Sequence, residues 1–432
     1  MEQDPRRRRI YSPNLSTRGL MLKCSGMQAL QNLERVRTGQ LSSLKYKSLV
    51  QSCLLTSHGE SEMAMNWMEE PPASHVTYAD LEPVDHKYLL CGLADGGVTI
   101  YDTTLLRVDD YFFREVGSIK GGQRGTHKYP VDCVQWYPAD AGLFSTSSRD
   151  KKVKIWDPNR MKLVDQFSID CHVHHHQMSP VATKHSLLAV AGDSGEVILC
   201  DLRTGTSTHR LQGHEGAVKA THWSPRIQHL LLSSGQDHTV RMWDVRASRA
   251  FLMALDPDTH ASEGHRKVSK RMKKVPQAHK SQVVSLSFTH DGLWILTFDC
   301  TGKLKLWDSS TGKKKDVNYG GFPHQCKRSV RMAVTPSMYP DLVFLPSKDQ
   351  VCVLEIFTGH VVNVLERHFA PLYGVIYNPS TMHLYTFSSD HNFITWIPKR
   401  FGPKHWEESY TDEPGPNKRK RVTQDNWSSD EN

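Results

Sequence analysis

Histidine, serine and aspartate side chains occur close together in this chain of 432 residues, a combination that serine hydrolases use. The candidates are His214, either Ser233 or Ser234, and Asp237. In such an enzyme, the histidine takes the proton of the serine hydroxyl and the aspartate orients the histidine. Trp243, six residues after Asp237, offers a second explanation, because an indole N–H can join the same residue types in a buried hydrogen-bonded chain. We favour this structural explanation.

The tryptophan belongs to a hairpin that the sequence repeats. The segment LLSSGQDHTVRMWDVR, residues 231–246, has alternating apolar residues, a turn aspartate and a Trp-Asp pair, which together predict two antiparallel strands. Trp156 and Trp243 are 87 residues apart, and Trp307 and Trp396 are 89 residues apart. Each step is about twice a unit of roughly 40–45 residues, so each step contains one degenerate copy. The degenerate copies carry Cys200 and Leu354 at the tryptophan position, and a seventh copy carries Tyr101.

Seven such hairpins resemble the repeats of WD40 proteins. The resemblance implies an all-β fold, a seven-bladed WD40 β-propeller, which we place at residues 63–398. A well-formed blade buries a chain of histidine, serine or threonine, turn aspartate and tryptophan. We expect the fifth blade to lack a complete chain, because Thr301 lies six residues before Trp307, where other blades have aspartate. The expected members are His214, Ser233 or Ser234, Asp237 and Trp243 in the fourth blade, His127, Asp150 and Trp156 in the second, and His368, Asp390 and Trp396 in the seventh.

A second cluster has side chains that bind transition metals. The segment CHVHHHQ begins at Cys171, and its last histidine is His176. Ligands this close in sequence do not easily complete a tetrahedral site without strain, and no second cluster lies nearby. The chain also lacks the motifs GxxxxGK[ST], GxSxG and HExxH. We therefore expect no catalytic residues, metal or cofactor, and we interpret CHVHHHQ as a polar loop that enters the third blade.

Composition and charge restrict the class of protein further. No apolar run approaches the roughly 18 residues of a membrane span, and no secretory signal is recognisable. Nine cysteines without a CxxC pair are typical of reduced thiols in the nucleus or cytosol. The net charge of +8 is concentrated in residues 6–9, 265–280 and 418–421. Such clusters indicate nuclear import signals, patches for nucleic acid or acidic proteins, or solvated segments. We interpret Lys418, Arg419, Lys420 and Arg421 as a nuclear import signal, which predicts a nuclear protein.

The fourth hairpin also resembles the adaptor-binding box of WD40 substrate receptors for cullin-4 RING ubiquitin ligases. In that family the arginine of a Trp-Asp-x-Arg sequence contacts the adaptor, damage-specific DNA-binding protein 1. A guanidinium at a strand end offers a rigid fork of donors that a neighbouring aspartate can hold in position. The residues that carry the resemblance are Leu231, Leu232, Ser233, Ser234, Gly235, Asp237, Val240, Met242, Trp243, Asp244 and Arg246.

Longer blocks between residues 76 and 398 are similar to the Cockayne syndrome A family of excision-repair proteins, as is the terminal WSSDEN. Among these blocks are LEPVDHKYLLCGLADGGVTIYD and LQGHEGAVKATHWSP. The resemblance implies a non-catalytic substrate receptor of a cullin-4 RING ligase that acts in transcription-coupled nucleotide excision repair. The implied partners are damage-specific DNA-binding protein 1, the Cockayne syndrome B ATPase and stalled RNA polymerase II.

The flanking segments complete the predicted organisation. Residues 1–26 are expected to be a disordered extension, and residues 399–432 a disordered C-terminal tail. Residues 63–70 are expected to form the outer strand that closes the ring on the seventh blade. Residues 27–62 are predicted to be a helical segment that docks on the adaptor, with a frayed tail as the alternative. The docking face of this helix would contain Leu30, Leu33 and Val36.

Two other functions are compatible with these observations. One is a general WD40 interaction scaffold without a role in a ligase. The other is direct binding of nucleic acid through residues 265–280 and the tails. The basic loop has no interleaved aromatic residues on which bases could stack, which argues against sequence-specific recognition of RNA.

Overall fold

Each repeated hairpin forms the second and third strands of an antiparallel sheet. The computed structural model describes residues 74–104, 113–247, 250–257, 275–324, 328–336 and 341–396. In the fourth sheet, for example, Leu231 pairs with Trp243 and Leu232 with Met242, so the alternation seen in the sequence sets the register. The turn between these strands contains Asp237. All seven predicted hairpins are confirmed.

The described residues form 27 strands in seven sheets. The first four sheets contain β1 (Val76–Leu81), β2 (Tyr88–Leu93), β3 (Val98–Asp102) and β4 (Arg114–Ile119); β5 (Val131–Trp136), β6 (Phe144–Ser148), β7 (Lys152–Asp157) and β8 (Lys162–Ser168); β9 (Val173–Met178), β10 (Leu187–Gly192), β11 (Glu196–Asp201) and β12 (Thr206–Gln212); and β13 (Val218–Trp223), β14 (Leu230–Gly235), β15 (Val240–Asp244) and β16 (Phe251–Ala254). The other three contain β17 (Val283–Phe288), β18 (Trp294–Asp299), β19 (Leu304–Asp308) and β20 (Lys314–Lys315); β21 (Ala333–Val334), β22 (Leu342–Ser347), β23 (Gln350–Glu355) and β24 (Val361–Glu366); and β25 (Leu372–Tyr377), β26 (Leu384–Ser388) and β27 (Phe393–Trp396).

The sheets are the blades of a seven-bladed β-propeller. Within each sheet the strands follow one another in chain order, and neighbouring strands are antiparallel. The first strands of the first five blades contact one another in order, β21 contacts β25, and β25 contacts β1. A shared core cluster joins the fifth blade to the sixth, which completes a closed ring around a central channel. The predicted all-β propeller is therefore confirmed. Within the described ranges, no helix is long and apolar enough to cross a membrane.

Apolar side chains fill the spaces between neighbouring blades. Seven buried clusters occur, one at each of the seven blade-to-blade boundaries, including the boundary between the seventh and first blades. Because each blade is covered on both sides, middle strands such as β14 are buried at every position. The largest fully buried side chains include Trp136, Trp223, Trp243 and Trp307.

The two faces of the propeller carry different strand connections. Successive strands of a blade run in opposite directions, so first-to-second and third-to-fourth turns lie on one face. The second-to-third turns and the loops between blades lie on the other face. Arg246 follows β15, the third strand of its blade, and therefore lies on the face that contains the third-to-fourth turns. We call this face the Arg246 face. The opposite face contains His214, in the loop before β13, and Asp237, in the turn between β14 and β15. We call it the His-Asp face.

The predicted hydrogen-bonded chain is present in the fourth blade. Asp237 Oδ2 lies 2.9 Å from His214 Nδ1, and His214 Nε2 lies 2.7 Å from Ser233 Oγ. Trp243 Nε1 donates to the same Ser233 oxygen at 2.7 Å. With its proton on Nδ1, His214 donates to Asp237 and accepts the hydroxyl proton of Ser233. Ser233, rather than Ser234, is therefore the serine of this chain.

The same chain occurs in the second, fifth and seventh blades. The hydroxyl in these blades comes from a threonine, at 2.8 to 3.0 Å from the indole nitrogen. The expectation of an incomplete network in the fifth blade is wrong. There, Asp299 lies 2.9 Å from His279 Nδ1, two residues before the expected position, and Thr301 donates to Asp299 at 2.7 Å. The complete sets are His127, Thr146, Asp150 and Trp156; His279, Thr297, Asp299 and Trp307; and His368, Thr386, Asp390 and Trp396.

The histidine-rich segment is a strand and not a loop. Its last five residues, 173–177, lie in β9, the innermost strand of the third blade. His176 is buried, with Nε2 2.8 Å from Ser145 Oγ and Nδ1 2.7 Å from Ser147 Oγ. The polar residues are tolerated in the core because hydroxyl groups of the second blade satisfy both ring nitrogens. Among the described residues, no three His, Cys, Asp or Glu side chains are placed to hold a metal ion.

Several predictions concern residues outside the described ranges. These are the extension at 1–26, the docking segment at 27–62, the closing strand at 63–70 and the tail at 399–432. All six described cysteines are free thiols, and Cys133, Cys200 and Cys352 lie on strands.

Removal of the shared hydroxyl in the fourth blade is expected to destabilise the propeller. In Ser233→Ala, His214 Nε2 and Trp243 Nε1 both lose their partner inside the core, which should cost about 2–4 kcal/mol of unfolding free energy. The matched control is Ser234→Ala, because Ser234 is equally buried but makes one hydrogen bond, at 3.4 Å to Val283 O. Urea unfolding followed by tryptophan fluorescence measures both. Equal losses in the two variants would contradict the assigned role of Ser233.

His176 is expected to make the fold sensitive to acid. Burial lowers the pKa of His176 from the ordinary 6.5 to about 3, so the folded protein does not bind this proton while the unfolded chain does. Stability contributed by neutral His176 is thus present above pH 6.5 and decreases as the pH falls towards 3, by about 1.4 kcal/mol per pH unit. In His176→Gln, the slope of unfolding free energy against pH between 6 and 4 should decrease by about this amount. Exposed His209→Gln is the control, and identical slopes for wild type and His176→Gln would refute the prediction.

Candidate functional site

Arg246 lies at the end of the fourth blade, where the third strand leaves the core. Trp243 is buried and fixed through its indole N–H, and the next residue, Asp244, is only partly covered. The Asp244 amide donates to Ala250 O at 2.7 Å, which holds the start of the turn against the outer strand. The side chains of Asp244 and Arg246 therefore emerge together on the Arg246 face.

The carboxylate of Asp244 holds the guanidinium of Arg246 in a fork. Arg246 Nε lies 3.0 Å from Asp244 Oδ1, and Nη2 lies 2.6 Å from Oδ2. The Arg246 amide also donates to Oδ1 at 3.0 Å. These hydrogen bonds lower the pKa of Asp244, so its carboxylate stays ionised. Two parallel charge-assisted hydrogen bonds fix the plane of the guanidinium as well as its position.

The fixed arginine keeps donors free for another molecule. Its side chain is 62% exposed, and no described residue hydrogen-bonds to Nη1. A guanidinium has five N–H groups, and Asp244 engages one edge. The remaining edge can therefore donate to carboxylate or carbonyl oxygens of a partner without first losing the freedom of a long side chain.

Most other residues of the predicted adaptor-binding box lie in the core. Leu231, Leu232 and Trp243 are buried, and Asp237 belongs to the hydrogen-bonded chain on the opposite face. These residues position the strand end and do not offer a surface. Leu30, Leu33 and Val36, and the import signal Lys418, Arg419, Lys420 and Arg421, lie outside the described residues.

The surface near Arg246 contains residues that the sequence pattern did not identify. Desolvation, followed by the positive charge of Arg246, lowers the pKa of His229, which therefore stays neutral at pH 7. Ile227, in the same first-to-second turn, is 49% exposed. The Arg246 face therefore has an exposed hydrophobic residue as well as a fixed arginine, and both kinds of residue are common at the centre of protein interfaces. The signal in the sequence was the turn SPRIQH, which places an isoleucine where a polar residue would suffice.

The His–Ser–Asp set has no access to a substrate. Ser233 is fully buried, and its hydroxyl is shared between His214 and Trp243. An attacking serine needs an open space beside its oxygen, which this hydroxyl does not have. The set is therefore a structural network.

Comparison with known proteins identifies the repeat. The family model "WD domain, G-beta repeat" matches residues 122–157, 205–244 and 270–308, which end at the third strands of the second, fourth and fifth blades. The chain is a WD40 repeat protein.

Relatives of this WD40 protein include one that is similar along most of its length. The chain is 25% identical to WD repeat-containing protein ATCSA-1 of Arabidopsis thaliana over 422 residues, which is 83% of this chain and 91% of that protein. It is 31% identical to Radiation-sensitive protein 28 of Saccharomyces cerevisiae over 28% of this chain and 25% of that protein. Periodic tryptophan protein 2 of Arabidopsis thaliana is 26% identical over 47% of this chain and 20% of that protein.

Proposed function

We propose that this WD40 protein is the substrate-recognition subunit of a cullin-4 RING ubiquitin ligase and binds the adaptor damage-specific DNA-binding protein 1 through Arg246. The observation that carries the proposal is the exposed guanidinium that Asp244 holds in a fork at the end of a Trp-Asp-x-Arg sequence. The similarity to ATCSA-1 over 83% of the chain supports the same assignment.

The geometry suits a receptor because the arginine is arranged before a partner arrives. Asp244 already accepts two hydrogen bonds from the side chain, so binding does not have to order it. Arginine is also enriched among the residues that dominate interface energy. Exposed Ile227, on the same face, would add apolar contact with a partner. This end of the fourth blade thus fits a protein surface that presents acceptor oxygens.

The resemblance to the Cockayne syndrome A family extends the proposal to a pathway. It assigns the receptor to transcription-coupled nucleotide excision repair in the nucleus. The Cockayne syndrome B ATPase and stalled RNA polymerase II would be brought to the ligase. The receptor itself supplies binding surfaces, and ubiquitin transfer would take place on other subunits.

Arg246→Ala is expected to weaken adaptor binding by about 30-fold, which corresponds to about 2 kcal/mol for a central interface arginine. The measurement is a titration of the purified full chain with purified damage-specific DNA-binding protein 1. Arg203→Ala is the matched control, because Arg203 follows Asp201 in the third blade as Arg246 follows Asp244 in the fourth. Circular dichroism establishes that each variant is folded.

The possible outcomes separate the receptor from a general scaffold. Loss of binding in Arg246→Ala but not in Arg203→Ala would support the proposed contact. Equal binding of wild type and Arg246→Ala would exclude the fourth blade as the main docking site. Absence of binding by the wild-type chain would refute the receptor function and leave an interaction scaffold.

A further inference from the structure

The central channel receives two arginines from the sixth blade. The innermost strand of this blade, β21, has two residues, and the chain before it lies against the channel. Arg331 Nη2 lies 2.7 Å from Asp80 Oδ1, and Nη1 donates to Ala79 O at 2.8 Å. Asp80 also accepts a hydrogen bond from the Trp136 amide at 2.9 Å. At this depth of the channel, Asp80 therefore balances the charge of Arg331, and the Arg331 guanidinium has hydrogen-bond partners.

The layer nearer the His-Asp face has a carboxylate shared by two guanidinium groups. Arg328 Nη2, from the sixth blade, lies 2.7 Å from Asp132 Oδ1 in the second blade. Arg149 Nε lies 3.5 Å from Asp132 Oδ2, which accepts no hydrogen bond. Arg328 is also held over the ring of Tyr373, 5.0 Å from its centroid. One carboxylate cannot balance both arginines, and the Arg149 side chain is 49% exposed.

Lys219 adds a third cation whose hydrogen-bonding is incomplete. Its Nζ lies 3.0 Å from His174 Nε2, and the same nitrogen lies 2.5 Å from Asp193 Oδ1. A nitrogen so close to a carboxylate oxygen must carry a proton and donate it, so it cannot also accept from Lys219. No described carboxylate lies within ion-pair distance of Lys219 Nζ. Its ammonium group would therefore gain from an additional acceptor.

These groups share one end of the channel. Asp132, His174 and Lys219 are the second residues of β5, β9 and β13, the innermost strands of three successive blades. Arg149 and Asp193 lie in second-to-third turns on the His-Asp face. We call Arg149, Lys219 and Arg328, together with Asp132 and Asp193, the cationic mouth. It contains three cations and two carboxylates, and its rim includes Tyr373 stacked on His75 at 5.9 Å.

We propose that the cationic mouth binds an acidic peptide, with an aspartate or glutamate carboxylate of the partner between Arg149 and Lys219. A carboxylate there would accept hydrogen bonds from the Nη groups of Arg149 and from Lys219 Nζ, and it would balance the excess positive charge. Asp132 and Tyr373 hold the neighbouring Arg328 in place, so the mouth is formed before the peptide arrives. The site lies on the face opposite Arg246 and does not depend on the proposed ligase function.

The test is binding of fluorescein-labelled octaglutamate to the purified full chain, followed by fluorescence anisotropy at low ionic strength. Octaglutamine is the matched uncharged peptide. We expect Arg149→Gln and Lys219→Gln each to weaken octaglutamate binding about 10-fold, since each removes one charge-assisted contact. Arg160→Gln, which removes the same charge from an exposed turn on the Arg246 face, should change the dissociation constant less than about 2-fold. Thermal unfolding followed by circular dichroism verifies that the variants are folded.

Three results would overturn the proposal. They are no measurable binding of octaglutamate by the wild-type chain, equal binding of octaglutamate and octaglutamine, and equal weakening by Arg160→Gln and Arg149→Gln. An oligothymidylate of the same length is tested in parallel. If it binds with the same dependence on Arg149 and Lys219 while octaglutamate does not, the mouth recognises nucleic-acid phosphates, and the assignment to an acidic peptide is wrong.

Discussion

A single hydroxyl that serves both a histidine and a tryptophan is the interaction that organises the second, fourth, fifth and seventh blades. In the fourth blade, Ser233 joins the imidazole of His214 to the indole of Trp243, and Asp237 fixes the imidazole from the other side. This hydrogen-bonded chain connects the loop before β13, the turn between β14 and β15, and the end of β15. Because Trp243 cannot shift, Asp244 leaves the core at a defined point and direction. The placement of Arg246 on the surface is thus a consequence of a hydrogen bond in the interior.

Blades without this chain are held by their neighbours. Tyr101, Cys200 and Leu354 occupy the tryptophan position, and each is buried in a cluster that joins two blades. A closed ring allows such departures, since each blade packs on two others and no sheet face is left open. The sixth blade departs furthest, with an innermost strand of two residues. This departure brings Arg328 and Arg331 into the central channel.

The sequence predicts the short-range, repeated features of this protein, such as its hairpins. Contacts between blades that are distant in sequence appear only in the structure. The spacing of the four tryptophans indicates six blades, and the similar hairpin that ends at Tyr101 adds the seventh, because each hairpin is a short-range unit with its own strand pattern. The fifth network was missed because Asp299 lies two residues before the expected position. Asp299 is the last residue of β18, whereas Thr301 lies in the turn that follows, so in this blade the aspartate contacts His279 from the end of the strand. The ion pair of Arg328 with Asp132 joins positions 196 residues apart and depends on ring closure, so no local pattern indicates it.

The two candidate surfaces are separated by the length of the strands. Arg246 lies at one end of a blade, and the cationic mouth lies at the opposite end of the channel. A strand of six residues spans about 20 Å, so partners at the two surfaces would approach the propeller from opposite ends. Because every blade packs on two neighbours, the ring holds this distance and the relative orientation of both surfaces. A receptor of the kind proposed has to hold an adaptor and a client at the same time. The proposed sites, a fixed arginine on one face and a cationic mouth on the other, would meet that requirement without any movement of the propeller.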